Sequence, residues 1–333
     1  MNKVRQKVWP SALALTLVAT LGGAPALAQS VEMTAATFHP RGGTADVESL
    51  FHFKELVEER SDGDIAVNVF YGGTLGGERE LVEQLKLGTV DLCLGGWGTI
   101  GNYVKDLVPW GVPYLFSEQE QISTLMEGKV GEMIRAAFEE EGIVTPGLYF
   151  RGNRQLTANR EVQQPEDLQG MKLRLPENPD WIVVWEKFGT TPVPIPSPEI
   201  FSSLQTGVVD GQENPVSSNY NRKLWEVQDY MVMTNHIVDI QFFLLGKAFL
   251  DELTEEQREI VMTAAADSLQ WATEFAASAE GEMIEEMEAN GMTILRPDLQ
   301  PFQEVALSTL PYFEEQWAPE IAGEVRKVVG EGG

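Results

Sequence analysis

Two short segments carry side chains suited to holding a carboxylate. The run from Met171 to Pro176 places Arg174 near the end of an otherwise strand-like stretch, and the run from Gly211 to Pro215 presents the amide of Asn214 on a predicted turn. A guanidinium offers parallel N–H donors that match a carboxylate bidentately, which a lysine cannot do. These residue types favour an anion receptor over an enzyme. A salt-bridged arginine at the surface is the alternative for Arg174.

Two further arginines follow an apolar strand predicted over Ile143 to Phe150. Arg151 and Arg154 lie close together in the chain and therefore compete for one position facing a ligand. A hydrogen bond that involves a charged group contributes roughly 1.5–3 kcal/mol. After the cost of immobilising the ligand and the side chains is subtracted, a pair of arginines together with Asn214 therefore suffices for a binding free energy of about −8 kcal/mol. This value corresponds to a micromolar affinity.

The chain lacks the spacing of common catalytic and metal sites. Its three histidines, His39, His52 and His236, form neither an H-E-x-x-H motif nor another metal-ligand pattern. A G-x-S-x-G elbow, a Walker loop and a dinucleotide fingerprint are also missing. We therefore expect no catalytic residue, no metal and no cofactor. The competing hypothesis is a periplasmic enzyme that acts on a sugar acid with Glu213 or Asp210 as its base.

Residues 1–28 have the pattern of a secretory signal peptide. Three basic residues precede an apolar stretch from Ser11 to Leu21, and the small-residue run from Ala26 to Ala28 predicts a mature start at Gln29. The apolar stretch is too short to span a bilayer. Cys93 is the only cysteine, so no intramolecular disulfide can form. An exported protein without disulfides is typical of the bacterial periplasm. We therefore predict that the mature protein is located in the periplasm of a Gram-negative bacterium.

The composition is strongly acidic. Asp and Glu number 51 against 24 Lys and Arg, which gives a formal net charge of −27. This balance argues against nucleic acid or an anionic membrane as a partner. It does not prevent direct binding of an anion, because salt screens charges beyond about 8 Å. The length of 333 residues predicts two domains.

The elements that must position the arginines contain a repeated pattern. The stretches Leu81–Asp91 and Ile200–Asp210 each predict an amphipathic helix that is stopped by a glycine, Gly88 or Gly207, and leads into a strand. Ser197, followed by a proline, is the predicted N-cap of the second helix. The long offset between the copies favours two similar α/β lobes over a solenoid.

The rest of the chain alternates between predicted strands and helices. Strands are predicted at Met33–Thr37 and Ile65–Tyr71, and helices at Val47–Arg60 and Glu118–Glu141. Such alternation predicts mainly parallel sheets. The run from Leu253 to Gln257 is a capping-box signature, and it opens a helical stretch that extends to about Ala289. A helix of that length could brace both lobes.

Together these segments resemble the solute-binding proteins of tripartite ATP-independent periplasmic (TRAP) transporters, the DctP family. The resemblance covers essentially the whole mature chain. The matching motifs are Leu75-Gly76 with Glu78-Arg79-Glu80, Gly88 to Asp91, Gly152 to Gln155, Leu173 to Pro176, Leu204 to Gly207 and Asp210 to Pro215. The resemblance implies an α/β, two-lobed periplasmic-binding-protein-like fold with a ligand cleft between the lobes and a long C-terminal bracing helix. It also implies an organic acid ligand, TRAP permease subunits as partners and a monomeric receptor.

By matching motif positions, the resemblance implies that Arg174 is a bidentate carboxylate clamp, Arg154 a second cationic contact and Asn214 an amide donor. Arg151 has no such role in the family. The resemblance also implies the domain division: lobe I at residues 29–151 plus about 240–280, and lobe II at 152–239 plus about 281–330.

One departure from the family bears on the ligand. Ser197 stands where relatives often have an aromatic residue, which weakens the expectation of a stacked ring. The first lobe offers four candidate residues for the wall of the cleft, Phe38, His39, Trp97 and Tyr103. It also offers the carboxylate of Glu78, at the start of a predicted helix, as a candidate ligand contact. Trp97 is flanked by glycines and could face the cleft or pack in the core. A hydroxylated sugar acid is the favoured ligand, and a C4-dicarboxylate or another small carboxylate is the alternative.

Overall fold

The computed structural model describes residues 31–330, apart from the side chains at positions 99, 105 and 110. The predicted signal peptide at 1–28 and the predicted mature start at Gln29 lie outside the described residues. Within the described chain, no helix is both long and apolar enough to cross a membrane.

The strands of the described chain form one ten-stranded sheet. They are β1 Val31–Ala36, β2 Ile65–Phe70, β3 Leu92–Gly96, β4 Ile143–Ala158, β5 Lys172–Leu175, β6 Thr191–Pro194, β7 Gly211–Pro215, β8 Tyr230–Val232, β9 Val238–Gly246 and β10 Thr293–Leu295. The main order is β2-β1-β3-β9-β4-β7-β5-β6, with β8 paired to β4 and β10 to β8.

Two parallel units are joined by the two longest strands. We call β2-β1-β3 the first half-sheet and β7-β5-β6 the second half-sheet, and the strands within each run parallel. Between them, β9 is antiparallel to β3, while β4 is antiparallel to both β9 and β7. The prediction of mainly parallel sheets is therefore right within each half-sheet. It is wrong for β4 and β9, because strands that run between two such units meet their neighbours in the opposite direction.

Helices cover the faces of the sheet. They are α1 Ala45–Arg60, α2 Glu78–Lys86, α3 Trp97–Ile100, α4 Gln119–Glu127, α5 Lys129–Glu140, α6 Pro179–Lys187, α7 Ile200–Gln205, α8 Val216–Asn221, α9 Lys247–Glu252, α10 Glu255–Ala289, α11 Gln300–Leu307, α12 Leu310–Glu314 and α13 Pro319–Val329. The prediction of one helix over Glu118–Glu141 is wrong. Gly128 is extended, with φ −91° and ψ −161°, and it separates α4 from α5.

The predicted helix-glycine-strand repeat is confirmed. Helix α2 is followed by Gly88 at φ 73° and then β3, and α7 is followed by Gly207 at φ 69° and then β7. Both glycines adopt the left-handed conformation that only glycine takes without strain. Strand β3 pairs with β1 as β7 pairs with β5, so the two half-sheets are built on one plan.

The long C-terminal helix is confirmed and unbroken. Thr254 and Gln257 exchange hydrogen bonds in a capping box at the start of α10, which runs for 35 residues. Leu269 joins the core beside the first half-sheet, whereas Met283 and Met287 join the core around α7. Helix α10 therefore packs on both halves of the molecule.

The chain after α10 also contacts both halves. Helix α11 packs against α6, beside the second half-sheet. Helix α13 packs against α4 and α5, which the predicted division assigns to lobe I. The predicted boundaries of the lobes remain a prediction, and α13 is the segment that fits them least.

Candidate functional site

A cavity lies between the two half-sheets. Its lining comprises Phe38, His39, Glu78, Gly96, Trp97, Gly98, Arg151, Arg154, Arg174, Pro176, Trp181, Ser197, Asn214, Asp239 and Gln241. Several of these residues end or follow parallel strands, which is where open α/β sheets bind ligands. All the predicted ligand-binding residues except Tyr103 are brought to this cavity.

Tyr103 was expected to form a wall of the cleft, but the structure does not bring it there. Its hydroxyl donates to Glu83 at 2.8 Å, and its ring lies 5.2 Å from the ammonium of Lys86. Both partners belong to the outer side of α2. The short helix α3 carries Trp97 into the cavity and leaves Tyr103, a few residues later, facing α2.

Arg174 is buried in the second half-sheet without a carboxylate partner. Its side chain lines the cavity, and its Nε donates to the carbonyl of Ile195 at 2.8 Å. Among the described residues, no acidic side chain forms an ion pair with Arg174, so the surface salt-bridge alternative is wrong. Burial lowers the pKa of Arg174 to about 9, which still leaves the guanidinium charged at neutral pH. Its two terminal nitrogens remain for a ligand.

Arg154 lines the cavity but is largely occupied by protein partners. Its Nε donates to Glu213 at 2.6 Å, and its Nη1 donates to Asp239 at 2.8 Å. The guanidinium lies 4.7 Å from the ring centroid of Trp181. Arg154 can therefore contact a ligand directly only through an N–H that these protein partners do not use, which limits its predicted role.

Arg151 lines the same cavity and is held by acids as well. It donates to Asp46 and Asp239, at 3.0 Å each. Burial by itself raises the pKa of Asp46, but Arg151 lowers it to about 2. Asp239 bridges Arg151 and Arg154, so the expected competition between the two arginines does not occur.

A β-bulge explains how both arginines face the cavity. They do not follow the strand, as predicted, but lie inside β4, which runs on to Ala158. Residues three apart on a regular strand point to opposite faces. The register of β4 against β9 shifts between Phe150 and Asn153, and this irregularity turns Arg151 and Arg154 to the same side.

Asn214 lies on β7, not on a turn as predicted. Its Oδ1 accepts from Arg154 Nη2 at 3.2 Å, and its Nδ2 donates to Gln212 Oε1 at 2.5 Å. One N–H of the amide is left to donate. Pro215, which follows, is the last residue of the strand.

Several buried polar atoms of the cavity wall have no hydrogen-bond partner among the residues that the structure describes. They are Nδ1 and Nε2 of His39, Nε1 of Trp97, Nε1 of Trp181 and Nε2 of Gln241. Burial lowers the pKa of His39 well below its usual value, so its ring is neutral. An unpaired buried polar group costs about 1–3 kcal/mol, and a hydroxylated ligand would supply the missing partners.

Trp97 combines the two roles that the sequence left open. It is buried, packs edge-on against Trp181 with ring centroids 4.3 Å apart, and lines the cavity. No local pattern indicated Trp181, Asp239 or Gln241, because only the packing of α6 and β9 brings them to the site.

Ser197 lines the cavity but is not the predicted N-cap. Residues Ser197–Glu199 form a single 3-10 turn, and α7 begins after it. The hydroxyl of Ser197 instead accepts a hydrogen bond from Arg222 Nη2 at 2.7 Å. Arg222 is a cation near the site that no sequence pattern indicated.

Phe38 and Glu78 complete the wall on the side of the first half-sheet. The ring of Phe38 lies 4.0 Å from that of His39, between centroids. Glu78, the first residue of α2, accepts a hydrogen bond from the backbone N–H of Gly96. Both residues are therefore fixed at the ends of β1 and β3.

The two half-sheets touch each other across the cavity. Asn178 donates to the carbonyl of Gly98 at 2.7 Å, and Asn221 donates to the hydroxyl of Thr44. The contact between Trp97 and Trp181 spans the same gap. Contacts between side chains and backbone of both halves therefore bridge the cavity.

Comparison with known proteins gives consistent results. The profile of bacterial extracellular solute-binding protein family 7, DctP, matches residues 39–316. A solute-binding protein of Roseobacter denitrificans is 34% identical over 303 residues, which cover 88% of this chain and 90% of the relative. The sialic acid-binding periplasmic protein SiaP of Vibrio cholerae is 26% identical over 91% of this chain and 92% of its own length.

Solved structures of similar proteins share the fold. A TRAP periplasmic solute-binding protein from Roseobacter denitrificans with bound L-galactonate is 30% identical, with a TM-score of 0.84 over 91% of this chain and 99% of its own. One from Sulfitobacter with bound β-D-galacturonate is 29% identical, with a TM-score of 0.83 over 89% and 98%. One from Shewanella oneidensis with bound succinate is 26% identical, with a TM-score of 0.85 over 90% and 100%.

Proposed function

This chain belongs to family 7 of the bacterial extracellular solute-binding proteins, the DctP family, and on that premise we propose that it is a TRAP receptor that binds a sugar acid by its carboxylate. The receptor works in the periplasm as a monomer and delivers its ligand to the membrane permease subunits. The observation that carries the proposal is Arg174, a buried cavity-lining guanidinium with no acidic partner among the described residues.

The unpaired polar atoms favour a sugar acid over a C4-dicarboxylate. Trp97, Trp181 and Gln241 present N–H donors that an oxygen of either acid can accept, but the neutral ring of His39 also has an acceptor nitrogen. A hydroxyl of a sugar acid can donate to that nitrogen, whereas succinate as a dianion has no hydrogen to donate. Relatives with 30% and 29% identity hold L-galactonate and β-D-galacturonate, and one with 26% identity holds succinate. A C4-dicarboxylate is therefore the second candidate.

The proposed lobes follow the two half-sheets. Residues 29–151 with about 240–280 form lobe I, and residues 152–239 with about 281–330 form lobe II. The crossing strands β4 and β9 serve as hinges, and α10 braces both lobes. The packing of α13 on α4 and α5 suggests that the end of the chain returns to lobe I.

The receptor performs no chemistry in this proposal. Glu213, one candidate base, is held by Arg154 and by Nε2 of His236 at 2.9 Å. Asp210, the other, accepts from the backbone N–H of Lys172 at 2.8 Å, at the opposite end of β5 from Arg174. Incubation with L-galactonate for hours should return the acid intact, and formation of a product would favour the enzyme hypothesis.

Arg174→Lys tests the carboxylate clamp. Lysine keeps the charge but loses the bidentate geometry, so we expect at least a tenfold loss of affinity, about 1.4 kcal/mol. The measurement is thermal stabilisation and calorimetric titration with L-galactonate, β-D-galacturonate and succinate.

Arg160→Lys is the matched control, because Arg160 is exposed and donates to the carbonyl of Gln169, away from the cavity. The control should bind like wild type. Unchanged affinity of Arg174→Lys for the acid that wild type binds best would contradict the clamp, and binding of none of the acids by wild type would contradict the sugar-acid and dicarboxylate assignments.

A further inference from the structure

The second cation beside the cavity that forms no ion pair among the described residues is Arg222. It follows α8 and is partly buried; its Nη1 donates to the carbonyl of Ser218 at 3.0 Å and its Nη2 to Ser197 Oγ at 2.7 Å. Within residues 31–330, no acidic side chain forms an ion pair with it. The nearby Asp46 is already paired with Arg151. Burial, followed by repulsion from Arg151, lowers the pKa of Arg222 to about 10.

The hydrogen bond to Ser197 has a direct consequence for the cavity. A hydroxyl has one hydrogen to donate and lone pairs to accept. Because Arg222 can only donate, the oxygen of Ser197 is the acceptor and its own hydrogen is left for another partner. In the described structure that hydrogen has no protein acceptor, and Ser197 lines the cavity. Ser197 is therefore a donor available to a ligand oxygen.

Arg174 and Arg222 converge on one turn. Arg174 donates to the carbonyl of Ile195, and Arg222 donates to the hydroxyl of Ser197 two residues later. Within residues 31–330, neither cation forms an ion pair, in contrast to Arg151 and Arg154. The turn at 195–197 therefore carries two cations at one end of the cavity. The nearby acids, Glu213 and Glu78 for Arg174 and Asp46 for Arg222, attract these cations without forming an ion pair with them.

Resting on the receptor function proposed above, we propose that Arg222 is a positioning residue for the anionic end of the ligand. It holds Ser197 as a hydrogen-bond donor toward a carboxylate oxygen and places a second positive charge behind it. The site thus selects ligands by the charge and hydrogen-bond acceptors of their acid group at this position, rather than by stacking on a ring.

The proposal predicts opposite effects on affinity and on stability. A buried cation without a partner is unfavourable for the unliganded protein, and ligand charge compensates it. Arg222→Met should therefore weaken binding of L-galactonate at least tenfold while the unliganded melting temperature stays equal or rises. A purely structural arginine would lower both together.

Further variants test the proposal even if Arg222→Met folds poorly. Ser197→Ala should also weaken binding, and in that background Arg222→Met should cost less than it does alone, because the two residues act through one hydrogen bond. Arg222→Lys, which keeps the charge and a donor, should fall between wild type and Arg222→Met. Arg160→Met is the control with neither effect.

Calorimetric titration with L-galactonate and thermal melts without ligand provide both readouts, with β-D-galacturonate and succinate titrated in parallel. Wild-type affinity in Arg222→Met, additive effects with Ser197→Ala, or a parallel loss of affinity and unliganded stability would each overturn the proposal. A wild-type protein that binds none of these acids would contradict the assigned ligand classes instead, so the two failures are distinguishable.

Discussion

At the scale of single residues, the cavity contains two kinds of arginine. Arg151 and Arg154 share Asp46, Glu213 and Asp239 in a buried ion-pair network, in which the acids keep the charges compensated. Removing one partner from such a network is strongly destabilising, about 3–5 kcal/mol. Arg174 and Arg222 lack such partners among the described residues. The first pair therefore builds the site, and the second pair is available for the charge of a ligand.

The buried histidines predict how stability depends on pH. Burial lowers the pKa of His39 and of His236 below the usual value of 6.5. The unfolded chain binds protons at these positions as the pH falls below about 6.5, and the folded chain does so only at lower pH. Their contribution to stability is therefore complete above about 6.5 and is lost as the pH falls, by up to about 1.4 kcal/mol per pH unit for each histidine.

Urea unfolding at pH 8, 6.5 and 5.5 measures this effect. The free energy of unfolding should fall slightly between the first two values, because the histidines of the unfolded chain are half protonated at pH 6.5, and more steeply between the second and the third. His39→Gln should flatten the decline, since glutamine cannot take up the proton. Equal stability at all three values in the wild type would contradict the prediction.

At the scale of elements, the bend of β4 depends on one glycine. Gly152 has φ 81°, and a Cβ added there would lie 2.0 Å from a carboxylate oxygen of Glu280 on α10. Gly152→Ala should therefore lower the free energy of unfolding by about 1–2 kcal/mol, mainly through the left-handed backbone. Because the bend orients Arg151 and Arg154, ligand affinity should fall as well.

Gly281→Ala is the matched control for this substitution. Gly281 lies inside α10, is exposed, and has no atom within 4 Å of an added Cβ. Alanine should therefore stabilise the helix by about 0.5–1 kcal/mol. Urea unfolding of the two variants should give changes of opposite sign, and a stabilised Gly152→Ala would show that the bend is not held by the glycine.

Local patterns predicted the elements whose signals are contained in a few residues. Strand β5 ends at a proline, Gly88 and Gly207 stop their helices, and Thr254 with Gln257 opens α10. The length of β4 could not be predicted in this way. Its polar second half is held as a strand by pairing with β7, β8 and β9, which are distant in the chain.

The same distinction applies to the candidate site. Arg174 could be found because its strand and its proline are adjacent in sequence. Trp181, Gln241 and Arg222 could not, because α6, β9 and α8 reach the cavity only through tertiary packing. The error at Tyr103 has the same origin, since the direction of a side chain after a short helix depends on what that helix packs against.

At the scale of the whole molecule, an acidic surface surrounds a cavity with unpaired cations. The formal net charge is −27, yet Arg174 and Arg222 lie within the protein beside the cavity. Surface charges beyond about 8 Å are screened by salt, whereas contacts inside a closed cavity are not. An anion is therefore held by local contacts despite the overall charge of the receptor.

Closure of the cavity depends on contacts that are independent of the ligand, and Asn178 provides a selective test of them. Its Oδ1 accepts from Asp180 N at 2.9 Å and caps α6, while its Nδ2 donates to the carbonyl of Gly98 on the other half at 2.7 Å. Asn178→Asp keeps the cap but replaces the second donor by an oxygen that repels the carbonyl. The closed state becomes less favourable, and ligand affinity falls in proportion to its population.

We expect a loss of about tenfold or more in affinity for L-galactonate from Asn178→Asp, measured by calorimetric titration. Small-angle scattering of the unliganded variant should give a radius of gyration no smaller than that of wild type. Asn290→Asp makes the same chemical change at the exposed end of α10 and should leave both quantities unchanged. If Asn178→Asp binds as tightly as wild type, its bond to Gly98 does not contribute to closure. The energy of closure must then come from the ligand, from the hydrogen bond between Asn221 and Thr44 and from the contact between Trp97 and Trp181.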